Sequence, residues 1–159
     1  MIGVALLVFG LVAILGVYYS QNVLNEHARN LTLAQNDAGR VLERIREQNV
    51  GCSSPSASAP TGFASWDAWL ADASDVGGGG KSIQPDPTTN ELVVITTSGT
   101  DPIHVTVAVC WRHRERTIGE CAWSEATGLS ADESITMPSD TDAIDSPAML
   151  ATAMTCRSS

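Results

Sequence analysis

The sequence predicts an α+β protein, a long N-terminal α-helix that is half transmembrane and half amphipathic, packed on a small antiparallel β-sheet head. Three observations carry this. Met1 through Asn25 hold no charged side chain, and the polar residues that follow keep a helical apolar repeat without a proline before residue 50. "ELVVITTS" (91–98) and "IHVTVAVCW" (103–111) are β-branched, alternate as half-buried strands do, and are joined by the turn "GTDP". All four cysteines lie beyond the apolar run and none forms a C-x-x-C pair, so two disulfides in an oxidising compartment are expected rather than zinc.

The helix comes first in the chain. Met1 to Tyr19 is close to the ~20 apolar residues that cross a bilayer core. It has neither the basic leader nor the small-residue cleavage site of a secretion signal. Beyond it Leu24, Leu31, Ala38 and Ile45 recur every seven residues, with Ala28, Ala34 and Val41 or Leu42 between them. One helix of about 49 residues, roughly 73 Å long at ~1.5 Å per residue, is therefore allowed. Gly51 and the prolines of "NVGCSSPSASAP" end it. A single-pass anchor with a dimerising coiled coil is the plainer account, but the stripe is alanine-rich and Gln35 stands where a seam residue is wanted.

Residues 1–50 form the helical domain and 51–159 the head, divided into a loop region (51–90), an antiparallel sheet (91–124) and an acidic loop with a C-terminal strand or tail (125–159). Residues 1–50 hold four acids and four bases, so the whole net charge of −9 falls on the head. Such a head repels phosphates, and no nucleic-acid partner is expected despite "WRHRER" at 111–116. In the loop region "FASWDAWLADAS" reads as a short helix with Phe63, Trp66, Trp69 and Leu70 on one side. "GGGGKS" (77–82) has Asp75 where a phosphate-binding loop needs its first glycine, and is expected to be a flexible linker. A third strand is predicted in "TIGECAWS" (117–124). Four cysteines allow three pairings; Cys110 with Cys121, facing across adjacent strands, and Cys52 with Cys156 is the pairing favoured.

No set of residues suggests catalysis: His27, His104 and His113 fall on the stalk, a strand and a turn, and no G-x-S-x-G elbow exists. The chain is therefore expected not to be an enzyme. Asp140, Asp142 and Asp145, with Asp132 and Glu133 nearby, are candidate Ca²⁺ ligands, although their order is not that of an EF-hand and a solvated acidic loop competes. Arg112, Arg114 and Arg116 alternate with His113 and Glu115 in a turn, either as a solvated tip or as a contact for an acidic neighbour.

The long helix, variable loop, antiparallel sheet and disulfide-tied tail resemble type IV pilins and type II secretion pseudopilins. "HVTVAVCWRHRERTIGEC" (104–121) and "DSPAMLATAMTC" (145–156) are similar to PilV-like minor pilins, and "MIGVALLVFGLVAILGVYY" resembles the segment that follows the prepilin peptidase motif. The family's glutamate near the start of the mature chain has no counterpart, since position 5 is Ala5 and the first acid is Glu26. Either the chain begins just inside the usual motif or it belongs with subunits that lack the glutamate. The resemblance implies a filament subunit, stored in the inner membrane and then exported, whose partners are other pilin subunits. Val4, Leu7, Val8, Leu11 and Leu15, with Leu24, Leu31, Ala38 and Ile45, would form its assembly helix. It also gives the acidic C-terminal loop a calcium-binding precedent. The rival expectation is a membrane-anchored periplasmic binding module that never polymerises.

Overall fold

A computed structural model describes residues 2–50, 54–83, 91–119, 121–131 and 147–156, and of residues 2, 5 and 6 the backbone alone. Two helices, α1 (Ile2–Gln48) and α2 (Trp66–Ala71), are followed by six strands: β1 (Glu91–Ser98), β2 (Ile103–His113), β3 (Arg116–Ile118), β4 (Cys121–Ser124), β5 (Gly128–Ala131) and β6 (Ala148–Met154). The chain is thus α+β with one long helix and a small antiparallel sheet. It divides into two units, Met1–Thr32 and Leu33–Ser159.

The first unit is helix alone. From Gly3 to Asn22 every described side chain is exposed, the large apolar ones included. This stretch of α1 is apolar and long enough to cross a membrane.

In the second unit the rest of α1 becomes one-sided. Ala34, Ala38, Val41, Leu42 and Ile45 are buried at the i, i+4, i+7, i+8, i+11 spacing of one helix face. They lie over the sheet face that carries Glu91 and Val93 of β1, Val105, Val107, Val109 and Trp111 of β2, and Ala148 and Met154 of β6. Arg46 marks this contact by reaching Thr152 Oγ1 of β6 at 3.4 Å. Asn49 ends the helix: its Nδ2 donates to Ile45 O (2.6 Å) and Ser56 O (2.7 Å), while its Oδ1 accepts from Ser56 N (2.7 Å).

β2 is the central strand. β1 pairs with it along one edge, Glu91 opposite Trp111 through Ser98 opposite His104, and β6 and β3 share the other edge. The expected strands 91–98 and 103–111 are therefore present, the second running on to His113. The expected third strand is not one strand. Gly119, at φ +93°, breaks 117–124 into β3, which stays on β2, and β4, which pairs with β5 in a second sheet. Consequently the Cys110–Cys121 disulfide exists (Cα–Cα 6.2 Å) but ties two sheets together rather than adjacent strands of one. Arg112 reinforces that link by stacking 3.3 Å from the ring centre of Trp123 in β4.

α2 is the short helix expected in "FASWDAWLADAS". Ser65 caps it by accepting from Ala68 N at 3.1 Å. Trp66, Trp69 and Leu70 are buried and Phe63 is half-buried; the two tryptophans meet edge to face at 5.5 Å.

Candidate functional site

Two features carry chemistry that a plain scaffold does not need. They are the exposed apolar surface of α1 and a buried polar cage where α1 meets the glycine-rich loop.

On α1, Val4, Leu7, Val8, Leu11 and Leu15 are 52–70% exposed, and so are Phe9, Val12, Ile14, Val17, Tyr18 and Tyr19 between and beyond them, at up to 74%. Exposed apolar side chains on every side of a helix mark a surface made for lipid or for other helices, since water-facing proteins seldom show such continuous patches. The heptad stripe beyond does not share one fate. Leu24 is exposed and Leu31 half-buried, whereas Ala38 and Ile45 are fully buried against the head of their own chain. Equal spacing in sequence thus serves two surfaces.

The cage is built from Asp37 and Arg40 of α1, Asp67 of α2, Lys81 and Ser82 of the loop, and Glu91 of β1. Asp37 is 0% and Glu91 2% exposed. Asp37 Oδ2 accepts from Ser82 N (2.7 Å) and its Oδ1 from Ser82 Oγ (2.6 Å), and Asp37 is ion-paired with Arg40. Arg40 donates onward to Gly78 O (2.5 Å) and Gly80 O (2.8 Å). Lys81 Nζ donates to Asp67 Oδ2 (2.9 Å) and to Glu91 O (2.6 Å), and Asp67 Oδ1 accepts from Val93 N (3.0 Å). Glu91 Oε2 accepts from Ile83 N at 3.0 Å.

Glu91 is pushed up to about 9, first by burial and then by its hydrogen bond with Asp37 and the negative charge of Asp37, against which the Ile83 amide and Lys81 work only in part. For Asp37 burial acts upward too, but hydrogen bonds from Glu91, Arg40 and Ser82 outweigh it and hold the carboxyl below its ordinary 3.8.

The glycine run is therefore an anchored loop and not the flexible linker expected. Four of its six amides are also spoken for: Gly77 N binds Ser74 O (3.0 Å), Gly78 N binds Trp69 O (2.7 Å), Gly79 N binds Asp72 O (3.0 Å), and Ser82 N binds Asp37. A phosphate cradle needs those N–H groups free and convergent. Gly78 is required by close approach, because a Cβ there would lie 2.6 Å from Leu70 Cα and 3.1 Å from the Trp69 ring. Gly78→Ala is expected to cost about 1–3 kcal/mol by overpacking. Urea unfolding of the detergent-solubilised chain, followed by tryptophan fluorescence, measures it, since all four tryptophans lie between residues 66 and 123.

The basic turn is the hairpin between β2 and β3. Arg114 and Glu115 occupy its two central positions at φ +46° and +66°, and Arg114 and Arg116 are exposed. Arg112 is held back by Trp123, so the tip presents fewer arginines than the sequence pattern offers. Asp140, Asp142 and Asp145, with Asp132 and Glu133, lie outside the described residues, and so does Cys52. Cys156 is disulfide-bonded. Among the described residues no three His, Cys, Asp or Glu side chains gather as a metal site. The cage was missed in the sequence because its six members are spread from residue 37 to residue 91. The three-residue spacing of Asp37 and Arg40 gives no separate signal, since the exposed pairs Glu43 with Arg46 and Arg44 with Glu47 share it. No protein-family model, curated protein or solved structure matches the chain, so its functional reading rests on these surfaces themselves.

Proposed function

We propose that the chain is a structural, non-enzymatic subunit of a type IV pilus or type II secretion-like filament. It is stored in the inner membrane by α1 and then assembled into a periplasmic or extracellular filament that displays the acidic head. The observation that carries this reading is the division of labour along α1. Its first part exposes apolar side chains on all sides, and its last part is built into the head's core. A membrane anchor requires the first property; the second makes the last turns of the helix part of the head's own core. The motifs at 1–19, 104–121 and 145–156 that resemble pilins support the same reading. The exposed arginines at the β2–β3 tip offer a contact for the acidic head of a neighbour, where charge complementarity sets register.

Leu11→Arg is the test. A charge at the centre of a membrane helix costs about 2.5–3.5 kcal/mol on insertion scales. The variant is expected to vanish from the sheared filament fraction of producing cells while its Cys110–Cys121 disulfide still forms. A methylated N-terminus, created by prepilin peptidase and read by mass spectrometry of the native protein, is expected alongside.

The second reading, an anchored periplasmic binding module, is favoured by one feature. A groove of about 580 Å3 lies among Pro55–Ala59, Trp66, Val93, Ile95, Thr97 and Ile103. If wild-type chain stays wholly in the membrane fraction of cells that make filaments, that reading replaces the first.

A further inference from the structure

Among the described residues the cage contains three carboxyl groups, Asp37, Asp67 and Glu91, but only two cations, Arg40 and Lys81. Lys81 neutralises Asp67, and Arg40 neutralises Asp37. Glu91 is left with the main-chain amide of Ile83 on Oε2, while its Oε1 is buried and accepts no hydrogen bond. A buried oxygen in that position is satisfied if it carries a proton and donates it. The acceptor is at hand, because the consecutive amides of Ser82 and Ile83 hold the carboxyls of Asp37 and Glu91, 0% and 2% exposed, in one buried place. With that one proton, three acids and two bases balance: Asp37 and Asp67 charged, Glu91 neutral, Arg40 and Lys81 charged.

We propose that Asp37 and Glu91 hold a single proton between them as a latch, which clamps the glycine-rich loop and the start of β1 onto α1 while the proton is present and loosens that junction when it leaves. What the latch holds is defined by its bonds. Asp37 fixes Ser82, Arg40 fixes Gly78 and Gly80, and Glu91 fixes Ile83. Loss of the proton places two like charges in a site that water does not reach, and separation of α1 from β1 is the way to relieve them.

Every element around Glu91 contributes to the balance. α1 brings Asp37 and Arg40, the loop brings Lys81, and α2 brings Asp67 through Lys81. β2 places the uncharged Trp111 opposite Glu91, with His113 two residues further along the same face. None of these supplies a second positive charge to the carboxyl of Glu91 that would let it ionise cheaply; Lys81 spends its bonds on Asp67 and on the Glu91 carbonyl.

The direction of the pH dependence follows. The folded chain keeps a proton on Glu91 that the unfolded chain releases near 4.5, so the contribution of Glu91 to stability is full below 4.5 and falls as pH rises to about 9. The urea midpoint of the full chain in detergent is expected to fall steadily from pH 5 to pH 9. In Glu91→Gln, whose amide can donate to Asp37 without titrating, this fall is expected to disappear, and the variant becomes more stable than wild type at pH 9. Protection of the Ser82 and Ile83 amides against hydrogen exchange is expected to drop above pH 9 in wild type while the amides of β2 keep theirs.

The carboxyl 13C resonance of Glu91 in the wild-type chain decides the matter even if the glutamine variant fails to fold. A titration midpoint near 9 supports the latch. A midpoint between 4 and 5, or a Glu91→Gln profile parallel to that of wild type, overturns it.

Discussion

Trp111→Ala is expected to destabilise the head by about 3–5 kcal/mol, the range for emptying a fully buried aromatic site. Trp111 is the largest fully buried side chain among the described residues. It stands where β2 is paired on both edges, with Glu91 of β1 on one side and Ile118 of β3 on the other. Because two strands and the cage meet there, the surroundings cannot collapse into the void without breaking ladder hydrogen bonds, so the cost belongs in the upper half of the range. A small domain has about 5–15 kcal/mol in all. The variant should therefore show a urea midpoint lowered by a large fraction, followed through the three remaining tryptophans. A change under about 1 kcal/mol would mean that the sheet's core does not depend on this row.

The second large effect is expected from Asp37→Ala. Removing one member of a buried ion pair typically costs about 3–5 kcal/mol, because the partner charge is left without compensation. Here the Ser82 amide and hydroxyl also lose their acceptor, and the glycine-rich loop loses its tie to α1. The Arg40 side chain is about one-third exposed (35%) and recovers some hydration, which places the expected loss nearer 3 than 5 kcal/mol. The acid limb of the pH profile provides an independent check. A carboxyl held below its ordinary 3.8 adds stability above that pH which is lost as the pH falls through and below it. Wild type should lose stability on acidification below about pH 4, and Asp37→Ala should lack that part of the fall. Urea midpoints between pH 2.5 and 6 compare the two directly.

These two positions also show how far the sequence could be read. Trp111 lies in "IHVTVAVCW", and its burial follows from strand alternation alone: the odd-numbered residues from 105 to 111 share one face, and all four are buried. Asp37 lies in a helix of charged and polar residues, and nothing local separates it from Glu43 or Glu47, which remain exposed. Its role depends on Glu91, 54 positions away in the chain and adjacent in the fold. Helical period identifies a face; it does not say what covers that face. The stripe Leu24, Leu31, Ala38 and Ile45 therefore read as one surface and proved to be exposed at Leu24 and enclosed at Ala38 and Ile45.

The glycine-rich loop teaches the same lesson from the other side. Four consecutive glycines without side chains to pack suggest freedom, and on composition alone a linker was the reasonable expectation. What holds the loop is its backbone, through carbonyls that accept from Arg40 and amides that donate to Ser74, Trp69 and Asp72. Side-chain patterns carry no record of such bonds. In the third strand, by contrast, a local feature was legible but undervalued: Gly119 can adopt φ +93° freely, and that turn sends Cys121 to a second sheet.

By itself, then, the sequence determined the long helix, the apolar surface at its start, the two principal strands and the short tryptophan helix. These follow from composition and from periods of 3.6 and 2, which are properties of contiguous residues. Only the tertiary structure decided which residues of α1 the head covers, Ala34 through Ile45 and not Leu24, and that Cys110 pairs with Cys121 across two sheets. It alone brought Asp37 and Glu91 together in one dry site. The physical reason is that burial and electrostatic coupling depend on distance in space, and a buried carboxyl pair acquires its shared proton only when folding removes the water that would otherwise let both ionise.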